Sequence, residues 1–211
     1  MTKWAIDLYE PLDDRATNYA IRKFFILNDV VANAPYPADK LPKGYNFGDT
    51  IRFTWNTEIT PAHCQEPNWP FSRKCEGTDP DYVGGGGQYN DLIYLRLAET
   101  YLLKAEAQLL LGKPGDAAAT INIVRQRSKA SVIGPGDVSI DFILDERSRE
   151  LVMEENRRWT LLRTGKWFER VKKYNKNGGQ LITLRDTIFP IPQVVIDANI
   201  TRPMPQNPGF N

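Results

Sequence analysis

Histidine is almost missing from this chain: His63 is the single one in 211 residues. Cysteine is nearly as scarce, with Cys64 and Cys75 alone. Two thiols and one imidazole fall short of a four-ligand structural zinc site. Neither a metal nor a cofactor is therefore expected. Charge of one sign is also lacking, since 27 basic side chains face 26 acidic ones. That balance gives no electrostatic case for nucleic acid or an anionic membrane as partner. No apolar run reaches the roughly 18 residues that a bilayer span needs. The N-terminal stretch MTKWAIDLYEPLDD has no apolar signal core and no small-residue cleavage site.

The two cysteines pull the other way. They close a short loop, CQEPNWPFSRKC, and a disulfide there would contribute roughly 3 kcal/mol through the unfolded state. The expected reading is a Cys64–Cys75 disulfide. The alternative is two unrelated free thiols. A disulfide implies an oxidising compartment, and hence a piece of a longer protein whose leader has been removed.

What the chain does contain changes in texture at Asp91. Residues 1–90 are loop-rich, with turn chemistry such as NAPYPADKLPKGYNFGDT and short alternating segments at ATNYAIRKFFIL and TIRFTW. The four glycines of DYVGGGGQYND lack the Gly-Lys-Ser/Thr ending of a phosphate loop, so they read as a connector. From Asp91 the pattern is helical. DLIYLRLAETYLLKAEAQLLLG carries one polar stripe, Arg96, Thr100, Lys104 and Gln108, and is apolar elsewhere. Such a helix is expected to pack between neighbours. Gly112 ends it and KPGD turns the chain, with Asp116 as the expected N-cap. AAATINIVRQRS follows, with Ala117, Ile121 and Val124 on one face. The pair reads as one tetratricopeptide-like hairpin.

A third helix is expected from Ser139 to about Gly165 without interruption. One of its faces runs Ile140, Leu144, Arg147, Leu151, Glu154, Arg158, Leu162. Charges on an apolar stripe must be partnered, so an ion network is expected around Arg147, Glu154 and Arg158, with Glu146 and Glu150 nearby. Glu154 and Arg158 stand four apart and would pair along the helix. Carboxylates among arginines are held ionised, whereas a general acid needs a raised pKa. The cluster therefore reads as structural, and a hydrolase is disfavoured. KWFERVKKY is a short helix with Trp167, Phe168 and Val171 inward. The proline-rich tail should run extended, with a brief helix near Gln193–Asn199 and anchors at Phe189, Ile191 and Phe210. The fold class is thus mostly α, with a loop-rich, minor-β section over 1–90 and a helical section over 91–211.

Five blocks in order resemble the C-terminal half of SusD/RagB-type proteins: YNDLIYLRLAETYLLKAEAQLLLG, AAATINIVRQRS, ILDERSRELVMEENRRWTLLRTGKW, IFPIPQVVIDAN and PQNPGF. DDR near Arg15 is a weaker match. Glu155 stands where the family usually has a helix glycine, and Thr160 where it has an aspartate. The resemblance implies an outward-facing lipoprotein of the outer membrane of Bacteroidetes, capping a SusC-like TonB-dependent transporter. It implies non-catalytic binding of oligosaccharide nutrients, or of peptides in some members. A protein-interaction module of tetratricopeptide type is the alternative.

Sugar rings stack their weakly positive C–H faces on aromatic side chains, and stiffly held rings lose little entropy in doing so. Trp55, Trp69, Phe71, Tyr82 and Tyr89 fall within one loop-rich stretch, with Asn68 and Arg73 between them as polar partners. These are the expected carbohydrate-binding residues, and a disulfide would fix Trp69 and Phe71. Trp4, Trp159 and Trp167 read as core.

Overall fold

The computed structural model describes residues 1–27, 43–53, 70–74, 91, 93–176 and 178–210. It is mostly α. In chain order come α1 (Lys3–Asp7), four short strands, β1 (Ile21–Arg22), β2 (Phe24–Ile26), β3 (Thr50–Arg52) and β4 (Phe71–Ser72), and then the helices α2 (Leu97–Leu110), α3 (Pro114–Arg127), α4 (Ile140–Glu150), α5 (Arg157–Arg163), α6 (Trp167–Tyr174) and α7 (Gln193–Ala198). The described residues up to Glu155 form one compact unit and those from Asn156 onward a second. Residue 91, where the sequence texture changes, falls inside the first.

The first unit is built on the α2–α3 hairpin. Gly112, with φ of +71°, turns the chain out of α2. Only glycine adopts that left-handed backbone without strain. Pro114 opens α3, so Asp116 lies in its first turn rather than at the cap. Proline has no N–H to leave unsatisfied there, which moves the helix start forward. Ala105 and Ala117 are fully buried and let the two helices approach closely. Around them Leu102, Ile121, Ile143 and Leu151 complete the core, with Leu109, Ile133, Val138 and Phe142 packed at its edge. α2 begins six residues later than its apolar run, and its outer side, with Leu97, Leu103 and Leu110, is exposed. The two-sided packing expected for it is absent among the described residues.

Ser139 caps α4, its Oγ accepting from the Phe142 N–H at 3.1 Å. The helix stops at Glu150. The Leu151 N–H still donates to the Arg147 carbonyl, and then the Glu154 and Glu155 N–H groups both turn back to the Leu151 carbonyl. Met153 takes a positive φ of 67°. The expected uninterrupted helix is therefore broken between Leu151 and Asn156. An apolar stripe that keeps its phase on both sides of a turn gives no sign of the turn. β1 pairs with β4, aligning Ile21 with Ser72 and Arg22 with Phe71, and β2 pairs with β3, both antiparallel. Ile21 is buried, which fixes the register of β1.

In the second unit Gly165 ends α5, and α6 buries Trp167 and Arg170. The side-chain amide of Gln206 accepts from the Ile191 N–H and donates to the Ile191 carbonyl, at 2.7 and 2.8 Å. Asn207 donates to the Phe189 carbonyl. Two amides thus do for the tail what a partner strand would do. Trp159 is 66% exposed, against the expectation of a core position. α5 buries Thr160 and Leu161, and Trp159 projects on the opposite side.

Replacing Ala117 by leucine should destabilise the chain by about 1–3 kcal/mol, because the hairpin has no room for the added carbons. The same change at exposed Ala119 should stay within about 0.5 kcal/mol. Urea denaturation of the two variants checks this, and equal stability would refute the close approach.

Candidate functional site

Two glutamates on α4, four residues apart and so on one face, are buried. Each is met by three arginines. The Glu146 carboxylate accepts from Arg15 Nη1 at 2.8 Å, Arg125 Nη1 at 2.7 Å and Arg149 Nε at 2.9 Å. The Glu150 carboxylate accepts from Arg15 Nη1 at 2.9 Å, Arg96 Nη1 at 2.6 Å and Arg127 Nη2 at 2.7 Å. Arg15 thus bridges both, while its Nε and Nη2 engage Asp13. The network widens from there. Arg125 also pairs with Glu10, and Arg96 Nε reaches Glu154 at 2.6 Å. Lys74 Nζ meets Glu154 at 3.1 Å and also donates to the Glu150 carbonyl. Beside it, buried Arg147 pairs with Glu99 at 2.7 Å and Glu155 at 2.5 Å.

Position explains part of this. Glu150 ends α4, where the helix dipole is unfavourable to an anion and the last carbonyls lack partners. Arginines offset the first problem. Side chains from elsewhere solve the second: Arg96 and Lys74 donate to the Glu150 carbonyl, and the Tyr9 hydroxyl donates to the Arg149 carbonyl. Burial acts most strongly on Glu146 and Glu150 and by itself would raise both pKa values. The arginines together outweigh it and hold both carboxyls below their ordinary range. Glu10 is likewise held at about 2; its slight burial acts upward, and the Ser131 and Arg125 bonds more than reverse that. Burial pushes the Tyr9 phenol up.

Arg147, Glu146, Glu150 and Glu154 thus all sit in ion pairs of the first unit. Glu154 pairs with Arg96 and Lys74; the expected Glu154–Arg158 pair relied on an uninterrupted helix, which the break between Leu151 and Asn156 removes. Arg158 lies in the second unit, stacked over the Trp167 and Phe189 rings at 4.6 and 4.7 Å, with Nη2 donating to the Asp186 carbonyl. The sequence reading missed Arg15, Arg96, Arg125 and Arg127 as partners. Their only local signals were the DDR match and, for Arg96, a place on a polar stripe.

Of the expected sugar-contacting residues, Phe71 and Arg73 are described. Trp55, Asn68, Trp69, Tyr82 and Tyr89 lie outside the described residues, as do Cys64 and Cys75. Phe71 is partly exposed on β4 and packs against Phe53 with ring centroids 5.6 Å apart. Arg22 lies over the Phe71 ring, and Arg73 over the ring of Tyr19. Lys74 follows Arg73 directly, so the ion network anchors the chain just after β4. Among the described residues no group of three His, Cys, Asp or Glu side chains is placed to hold a metal ion. Nor is any helix among them long and apolar enough to cross a membrane.

A profile of the SusD family matches residues 6–210. The chain belongs to the SusD family. Three of its relatives share local similarity. It is 37% identical over 90 residues to SusD-like protein P38 of Formosa agariphila, covering 37% of this chain and 18% of that protein. It is 34% identical over 124 residues to the starch-binding protein SusD of Bacteroides thetaiotaomicron, covering 57% of this chain and 22% of that one. SusD-like protein P25 of Formosa agariphila is 34% identical over 104 residues, 46% of this chain and 20% of its own. The chain thus spans about a fifth of the length of these relatives. No solved structure matches it.

Two outcomes are expected of this SusD-family ion network. Glu146→Gln leaves two buried guanidiniums and one half-buried one short of a charge and should cost about 3–5 kcal/mol, measured by urea denaturation at pH 7. Carboxyls whose folded pKa is depressed stabilise the fold fully above the ordinary glutamate range, and that contribution is lost as pH falls toward the folded values. Wild-type stability should therefore decline from about pH 4 toward about pH 2, and Glu146→Gln should flatten part of that slope. A wild type equally stable at both ends would contradict the network.

Proposed function

We propose that this chain is part of a cell-surface nutrient-binding protein that captures oligosaccharides without cleaving them. It hands them to a SusC-like TonB-dependent transporter, held beside it as an outward-facing lipoprotein of the outer membrane. Membership of the SusD family carries this reading, and the Bacteroides relative named a starch-binding protein supports it. The ion network supports the non-catalytic part. Glu146 and Glu150 are held ionised among arginines, the opposite of what proton donation to a glycosidic oxygen requires. The contacts we assign to the sugar are Trp55, Asn68, Trp69, Phe71, Arg73, Tyr82 and Tyr89, with a Cys64–Cys75 disulfide stiffening the loop between them.

Titration calorimetry of the full chain with maltoheptaose, cellohexaose and tetragalacturonate tests the reading. At least one should bind saturably, with no new reducing ends on prolonged incubation. Trp69→Ala should weaken that binding by about tenfold. Unchanged affinity in a folded variant removes Trp69 from the site. Binding to peptides with no response to any of the three glycans replaces the oligosaccharide reading with the peptide one. New reducing ends would make the chain a hydrolase.

A further inference from the structure

We propose that Tyr19 is a sugar-stacking residue of this chain: its ring, held out into solvent beside the Arg73 guanidinium, takes the C–H face of a pyranose. The proposal rests on the oligosaccharide reading above and adds a residue to it.

Tyr19 is 85% exposed, while Ile21, two residues on, is buried. A lone exposed aromatic needs no explanation. This one is set apart by how firmly its backbone is held. The Ala20 and Ile21 N–H groups both donate to the Thr17 carbonyl, at 3.1 and 2.9 Å. The Thr17 hydroxyl donates to the Asp14 carbonyl at 2.8 Å. The Asn18 side-chain oxygen accepts from the Lys23 and Phe24 N–H groups, at 2.8 and 3.3 Å. Upstream, Arg15 is locked between Asp13, Glu146 and Glu150. Tyr19 therefore stands on a turn pinned at both ends, one of them in the ion network.

The side chain is held as well. The Arg73 guanidinium lies 5.8 Å from the ring centroid and orients it by cation–π attraction. Since the ring is still 85% exposed, most of its surface stays open to a ligand. The Arg73 N–H donates to the Ala20 carbonyl at 2.9 Å, so guanidinium and ring are carried by backbones bonded to each other. Phe71, on β4 two residues before Arg73, is 39% exposed, with the Arg22 guanidinium 5.9 Å from its ring centroid. Two exposed rings with cations beside them thus flank the β1–β4 pairing. A phenol with two side-chain torsions, already oriented, gives up little freedom on binding. That is what stacking on a sugar requires, since the contact itself is weak.

The test uses the full chain and the same three oligosaccharides, by calorimetry. Against whichever binds, Tyr19→Ala should lose about tenfold in affinity with its melting temperature unchanged. Tyr19→Phe, which keeps the ring and drops the hydroxyl, should stay within about twofold. Full affinity in Tyr19→Ala overturns the proposal while leaving the oligosaccharide reading intact. So does an equal loss in Tyr19→Phe, which would assign the contact to the hydroxyl. A wild type that binds none of the three overturns the oligosaccharide reading and this proposal with it.

Discussion

Two carboxylates inside the first unit hold its parts in place. An isolated ionised glutamate in the position of Glu146 would cost many kcal/mol to desolvate. It is tolerated because Arg15, Arg125 and Arg149 converge on it, from the loop before β1, from α3 and from α4 itself. Glu150 collects Arg15, Arg96 and Arg127 in the same way. The arrangement works in one geometry only. A hydrophobic core accepts small slippage between helices, whereas three guanidiniums within hydrogen-bond distance of one carboxylate do not. Such a network adds little net stability over an apolar replacement. Its effect is to specify which segments meet: residues 10–15, Lys74, the N-terminus of α2, the C-terminus of α3 and the end of α4.

The break after α4 follows from the same demand. Arg147 and Glu155 are eight residues apart, about 12 Å along an uninterrupted helix, well outside the three- and four-residue spacings at which helix side chains meet. They pair at 2.5 Å because the chain turns back through Leu151 and Met153. The turn also brings Glu154 to Arg96 and Lys74. A left-handed methionine is an uncommon backbone state with a cost. The salt bridges this turn makes, from Glu155 to buried Arg147 and from Glu154 to Arg96 and Lys74, offset it.

Legibility in the sequence tracked the range of the interactions. The α2–α3 hairpin, the helix start at Ser139, the brief helix near Gln193 and the strands within ATNYAIRKFFIL and TIRFTW rest on local chemistry and could be read, whereas β4 lies in a stretch read as loop. Arg147, Glu146 and Glu150 were legible as charges on an apolar stripe that had to be partnered. Their partners were not, because Arg15, Arg96 and Arg125 lie far away in the chain and a sequence shows no distances. Arg96 shows this well. Its spacing from Thr100 and Lys104 makes it one of a solvated stripe, yet it sits at the N-cap of α2 and reaches two glutamates. The helix break stayed hidden because the apolar phase continues through it. Trp159 was misplaced for the same reason, its position having been judged on a helix longer than α5.

The network also positions the short strands of the first unit. β1 and β4 are two residues each, and strand pairs of that length have little stability of their own. Their position must come from outside the ladder. Ile21 supplies one fixed point in the core. Ions supply two more, Arg15 upstream of β1 and Lys74 downstream of β4. Both converge on Glu150, the first on its carboxylate and the second on its carbonyl. The exposed rings between these points are thus referred to one residue at the end of one helix. Rigidity that a strand ladder of this size cannot provide is borrowed from buried charge, and it leaves the Tyr19 ring exposed rather than used as packing.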